Sequence, residues 1–258
     1  MLFTKRRKFV LSAVLLSLGL LVTSFVPSHW RYWVILALGL LSAGLTLWGL
    51  WEDLSGAAWF MVPVLPSLYS SSVALFYFLL PERLLTRIAI LTLFGIGMYA
   101  IFLTENIFSV AALRTIQLAR AAQAVGFLFT LLTAFFLLDT IFSFKLAGWW
   151  NGLLVFLIAL PLVLHSTWSI DLDEKLGGEV VEYGFLISWG LGQLGLMISF
   201  WPVTIVIASL FLVTAMYVCL GLIHNLLVEK LFKQTIREYV QVGVVVFILT
   251  FLVAKWGG

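Results

Sequence analysis

The stretch GVVVFILTFLVA, residues 243–254, carries one hydroxyl, Thr250, and otherwise no polar side chain on any face. A strand of a membrane barrel alternates apolar and polar residues over about 10 positions, and a helix on a water-soluble core keeps one polar side. This stretch does neither, and VALFYFLL at 73–80 repeats the pattern. Segments apolar all round belong in hydrocarbon. There, backbone N–H and C=O groups must bond within the segment, which leaves the helix. The expected fold class is all-α, a polytopic transmembrane helix bundle.

Reading outward from these two stretches gives nine apolar runs, at 9–26, 32–51, 57–80, 88–103, 124–144, 149–164, 185–200, 203–226 and 239–254. The chain is 63% hydrophobic and 10% charged, with a mean hydropathy of +1.13, against roughly 25% charged in a soluble domain. Nine spans of about 20 residues take up roughly 180 of the 258 positions. No separate soluble domain fits in the remainder, so residues 1–258 are expected to form a single integral membrane domain. Ten of the eleven tryptophans fall near run ends, as an interfacial aromatic belt requires, and Trp189 alone lies well inside one.

The net charge of +3 would suggest nucleic acid in a soluble protein. Here the basic residues flank apolar runs and read as topology signals. With nine spans and the N-terminus inside, the inner set is Lys5, Arg6, Arg7, Lys8, Arg114, Arg120, Lys175, Lys230, Lys233 and Arg237. The outer set is Arg31, Arg83, Arg87, Lys145 and Lys255. If 57–80, with Pro63 and Pro66, were a re-entrant loop, eight spans would divide the charges almost evenly. The bias favours nine spans, with the N-terminus in and the C-terminus out. The first run, 18 residues long, exceeds the roughly 7–15 of a signal-peptide core, so a retained anchor is expected. The single cysteine, Cys219, permits neither an intrachain disulfide nor a cysteine metal cluster.

The phrases TENIFSVAALRTIQLARAAQAVGFLFTLLTAFFLLDT (104–139 and Thr140) and SFWPVTIVIASLFLVTAMYV (199–218) resemble an uncharacterised family of polytopic bacterial integral membrane proteins, over roughly 83–239. The resemblance implies a membrane location and no activity.

Five places hold polar groups that merit weighing. Pro63 and Pro66 interrupt the third run and precede Ser67, Ser70, Ser71 and Ser72. Each proline frees a carbonyl four residues back, so the stretch reads as a kink met by the serines or as a broken helix of the kind that holds transported substrates. Asp139 lies deep in the fifth run, where a carboxylate costs about 2.5–3.5 kcal/mol on insertion scales. It is expected to pair with Arg87, with a proton or cation site as the alternative. Glu105, a candidate intramembrane polar or pathway residue, closes the fourth run and leads into 107–123, where Arg114, Gln117, Arg120 and Gln123 recur at spacing three; Arg114 and Arg120 are candidates for lipid headgroups. Residues 227–241 alternate apolar and polar at three and four and predict one amphipathic helix, with Lys230, Lys233 and Arg237 toward anionic lipid. The acidic loop 171–182 fails the EF-hand pattern at positions five and six, Lys175 and Leu176. His29, His165 and His224 sit at three run ends without ligand spacing. No catalytic set, metal or cofactor is expected.

These features suit a non-catalytic membrane scaffold or partner subunit. A transporter or channel for a small or neutral substrate is the first alternative, and an enzyme acting on a lipid-linked substrate the second. The expected partners are the bilayer, anionic lipid and other membrane subunits, with no nucleic acid, and the expected location is the bacterial cytoplasmic membrane.

Overall fold

A computed structural model describes residues 4–80, 83–112 and 118–255. Among these the chain is all-helical: α1 (Lys5–Thr23), α2 (Arg31–Leu50), α3 (Ala58–Met61), α4 (Val64–Tyr77), α5 (Leu84–Ala111), α6 (Ala119–Ser143), α7 (Gly148–Asp171), α8 (Gly178–Ile198), α9 (Ile205–Leu227) and α10 (Lys233–Val253). Each of the nine apolar runs is a helix, the third in two pieces. Seven are long and apolar enough to cross a membrane, counting 58–77 as one. The two outside that set are α1, which opens on four consecutive cations, and α8, which carries Glu179, Glu182 and Gln193.

Several helices outrun their apolar runs. α5 continues eight residues beyond the expected end at Leu103, and α7 seven beyond Leu164. Hydrogen bonding propagates a helix one residue at a time, so polar residues join it wherever a neighbouring helix still packs against them.

The chain divides into two compact units. The first comprises residues 1–133 and 172–175, the second 134–171 and 176–258.

In the first unit, α2 and α4 pack closely. A side chain at Gly39 would meet Ser71 Oγ and, at 3.5 Å, the Ser67 carbonyl. The start of α1 and the end of α2 share one end of the unit, where Lys5 pairs with Asp53 and the Lys8 ammonium lies 5.1 Å from the Trp48 ring centroid. At the opposite end, the Arg31 guanidinium lies 4.8 Å from the Phe78 ring, and Arg87 lies 5.2 Å from the Phe25 ring. Since the 20-residue α2 is about 30 Å long, residues 58–77 must run from the Asp53 end to the Arg31 end. The third run therefore traverses the unit and does not turn back on itself. Residues 172–175 join this unit at Gly56, which has φ of +48°; the next N–H, of Ala57, donates to the Glu174 carbonyl at 2.7 Å.

In the second unit, α7 and α8 form the tightest helix pair. Gly184, Ser188 and Gly192 recur at spacing four on the buried face of α8, with Gly195 one turn further. Small residues at that spacing let membrane helices approach closely. A Cβ at Gly192 would come within 3.0 Å of the Gly152 carbonyl oxygen. Helices α9 and α10 form an antiparallel pair closed at both ends. Tyr217 and Tyr239 rings lie 5.3 Å apart at one end, and Trp201 sits 5.8 Å from Phe247 at the other.

The connection between α9 and α10 corrects the expected helix over 227–241. α9 ends in a Schellman motif: Glu229 N–H donates to the Leu226 carbonyl, Lys230 N–H to the Asn225 carbonyl, and Glu229 takes φ of +56°. Helix resumes only at Lys233. The amphipathic period persists across the break because it reflects which residues are polar, and says nothing about whether the backbone turns.

Candidate functional site

Pro63 stands just before α4, and Pro66 is its third residue. First-turn N–H groups have no partner within a helix, so proline there sacrifices no bond. The hydroxyls that follow are satisfied in their own helix: Ser67 donates to the Val64 carbonyl, Ser70 to Ser67 and Ser72 to Tyr69, at 2.8–2.9 Å. Ser70 and Ser72 are fully buried. The stretch is thus the boundary between two helices, with its hydroxyls turned inward. The proline inside a helix is Pro161, in α7.

Glu105 does not close a run at an interface. It lies inside α5, fully buried, on the face shared by Ile101, Phe102 and Phe108. Glu105 is thus a buried carboxylate of the first unit, as Asp139 is of the second. The clue was available: the apolar face recurs at 94, 98, 101, 105 and 108, at steps of three and four across the polar residue.

Asp139 is also buried, and its Oδ1 has no hydrogen-bond partner. Its helix neighbour Ser143 donates to the Asp139 backbone carbonyl at 2.7 Å and not to the carboxylate. Arg87, the partner expected from the sequence, is engaged within the first unit, where its Nε donates to the Tyr77 hydroxyl at 3.2 Å and its guanidinium faces Phe25. Asp139 belongs to the second unit.

The basic positions separate. Arg114 lies outside the described residues. Arg120 is exposed at the second position of α6, which begins at Ala119, so 107–123 is divided between the end of α5 and the start of α6. Lys230 lies in the connection, Lys233 opens α10 and Arg237 follows one turn later, all three exposed.

A polar group of the second unit was missed from sequence. His165 is 1% exposed inside α7 and packs by Trp168, also fully buried, so neither belongs to an interfacial belt. Asp171, in the last turn of α7, is close enough to His224 of α9 for its charge to act on the imidazole. The Tyr239 phenol lies against Tyr217, ring centroids 5.3 Å apart, and near Asn225, whose amide donates to the Gly221 carbonyl at 2.8 Å. The sequence places these residues at separate run ends, and helix pairing brings Asp171 toward His224 and Tyr217 against Tyr239. Among the described residues no three metal-binding side chains converge.

A small apolar cavity of about 10 Å³ in this unit is bounded by Ala134, Leu138, Val155, Leu162, Leu191 and Leu212. A space of roughly one water volume with no polar partner stays dry.

A family model covers residues 52–253, from just after α2 to the end of α10. The chain belongs to the DUF5656 family. Its members are described as proteins of unknown function. No curated protein and no solved structure matches the chain. The DUF5656 match takes in both buried carboxylates, Glu105 and Asp139, and the polar residues at the ends of α7 and α9, while α1 and α2 precede it.

Proposed function

We propose that this DUF5656 protein is a non-catalytic membrane scaffold or partner subunit, crossing the bacterial cytoplasmic membrane nine times with its N-terminus inside. The observation that carries the reading is α10. This helix is span-length and apolar, yet Thr250 is its one buried residue, while Val245, Leu249, Leu252 and their neighbours face outward. A helix packed on one neighbour and otherwise apolar suits association with further membrane helices through van der Waals contact. The small apolar cavity of the second unit and the inward hydroxyls of α4 argue against a polar pathway. Burial of Glu105 argues against an interfacial catalytic carboxylate. Arg120, Lys230, Lys233 and Arg237 are exposed for anchoring on anionic headgroups, each contributing about 1 kcal/mol.

A photo-crosslinker placed in turn at Val245, Leu249 and Leu252 in living cells tests the reading. We expect an adduct of one constant polypeptide mass from all three positions. Adducts with lipid alone, together with a monomeric purified protein, would overturn it. Reporter fusions are expected to place the N-terminus in the cytoplasm and the C-terminus outside; finding both ends on one side would end the nine-span topology. The transporter reading draws support from the unpartnered Oδ1 of Asp139. An ion flux in proteoliposomes that disappears with Asp139→Asn would decide for it.

A further inference from the structure

An open groove of about 450 Å³ runs between α1 and α5 in the first unit, lined from α1 by Val10, Ala13, Val14, Ser17, Leu18 and Leu21. From α5 it takes Leu91, Gly95, Ile96 and Tyr99, with Gly95 leaving the space that a side chain would deny to Ser17 Oγ, 2.8 Å from its Cβ position. From Val10 to Leu21 the helix rises about 17 Å, close to one leaflet of a hydrocarbon core about 30 Å thick.

The four cations at the head of α1 divide by direction. Lys5 pairs with Asp53, and Lys8 lies over Trp48. Arg6 stands four residues before Val10 and seven before Ala13, and Arg7 three before Val10 and seven before Val14. Those spacings put both arginines on the groove side of α1. Both are exposed, and no ion pair engages either among the described residues. A leaflet-deep apolar groove therefore opens beneath two uncompensated guanidiniums, which favour planar, multidentate contact with phosphate.

We propose that the groove holds one acyl chain of an anionic phospholipid, with its phosphate on Arg6 and Arg7. The phosphate supplies charge complementarity, the chain fills the apolar cleft, and Tyr99 borders the cleft at the headgroup end. The proposal rests on the reading above in one respect, that α1 crosses the bilayer.

The test is native mass spectrometry of the full-length protein in detergent, supplied with phosphatidylglycerol or phosphatidylcholine of identical chains. One phosphatidylglycerol is expected to be retained in preference. Arg6→Gln with Arg7→Gln should weaken its retention about thirtyfold, the effect of two basic residues at a membrane surface. Val14→Trp, an outward-facing change that fills the groove, should reduce retention of both lipids. Replacing Lys230, Lys233 and Arg237 by glutamine should leave the Val14-sensitive lipid in place. Unchanged phosphatidylglycerol binding in either groove variant would overturn the proposal, as would a Val14→Trp protein that loses a dimer and keeps its lipid, since a second copy would then own the groove. In a Cys219→Ser background, Val14→Cys separates the two readings. Labelling by a membrane-impermeant maleimide would refute the nine-span topology, whereas a protected cysteine without lipid retention would refute the groove alone.

Discussion

Gly192→Leu is expected to lower the thermal stability of the detergent-solubilised protein more than other single changes in the α7–α8 pair. A Cβ at this position comes within 3.0 Å of both the Gly152 carbonyl oxygen and Phe156 Cβ. Neither is the far end of a flexible side chain, so the helices themselves must separate. Overpacked cores lose about 1–3 kcal/mol, occasionally more. Moving α7 from α8 also forfeits the close approach at Gly152, where a Cβ would lie 3.0 Å from the Gly192 carbonyl, and at Gly195, 2.9 Å from Val155 Cγ2. Gly192→Ala should fall between parent and leucine variant. Gly190→Leu provides the control, because Gly190 is exposed and nothing lies within 4 Å of its Cβ position; leucine's better helix propensity makes it neutral or stabilising by up to about 1 kcal/mol. Equal unfolding temperatures for Gly192→Leu and Gly190→Leu would refute the packing assigned to this face.

Gly56→Ala should release the 172–175 segment. Two constraints coincide at Gly56: φ is +48°, and a Cβ would run into the Glu174 carbonyl, with the carbonyl carbon 2.9 Å away. The left-handed backbone alone costs an L-residue about 1–2 kcal/mol. The clash falls on the same carbonyl that accepts the Ala57 N–H at 2.7 Å, so relieving it breaks that bond. Thermal unfolding should begin several degrees lower, and limited proteolysis within 171–177 should quicken. Gly178→Ala, where nothing lies within 4 Å of the Cβ position, should leave both unchanged. A Gly56→Ala protein with parental protection of 171–177 would show that the segment is held elsewhere.

Residues such as 243–254 settle the helical class by themselves, because their uniform apolarity leaves the backbone no other way to satisfy its hydrogen bonds in hydrocarbon. The nine runs and their order follow from the same local property. Hydropathy falls silent where the apolar run stops and the helix does not. His165 and Trp168 read as interfacial on that account, and packing by neighbouring helices buries both. The break at 228–232 escaped notice for the converse reason, since the polar period continues through a Schellman turn at Glu229.

Sequence alone determined the helical class, the number of apolar segments and the clustering of basic residues at their ends, each a sum over neighbouring residues. The tertiary structure alone decided which polar groups are shared, which glycines admit a second backbone, and that Arg6 and Arg7 stand above an open groove while Lys5 and Lys8 turn to Asp53 and Trp48. Those are relations between segments far apart in the chain. They depend on how helix faces are rotated against one another, a quantity set by side-chain packing rather than by hydropathy.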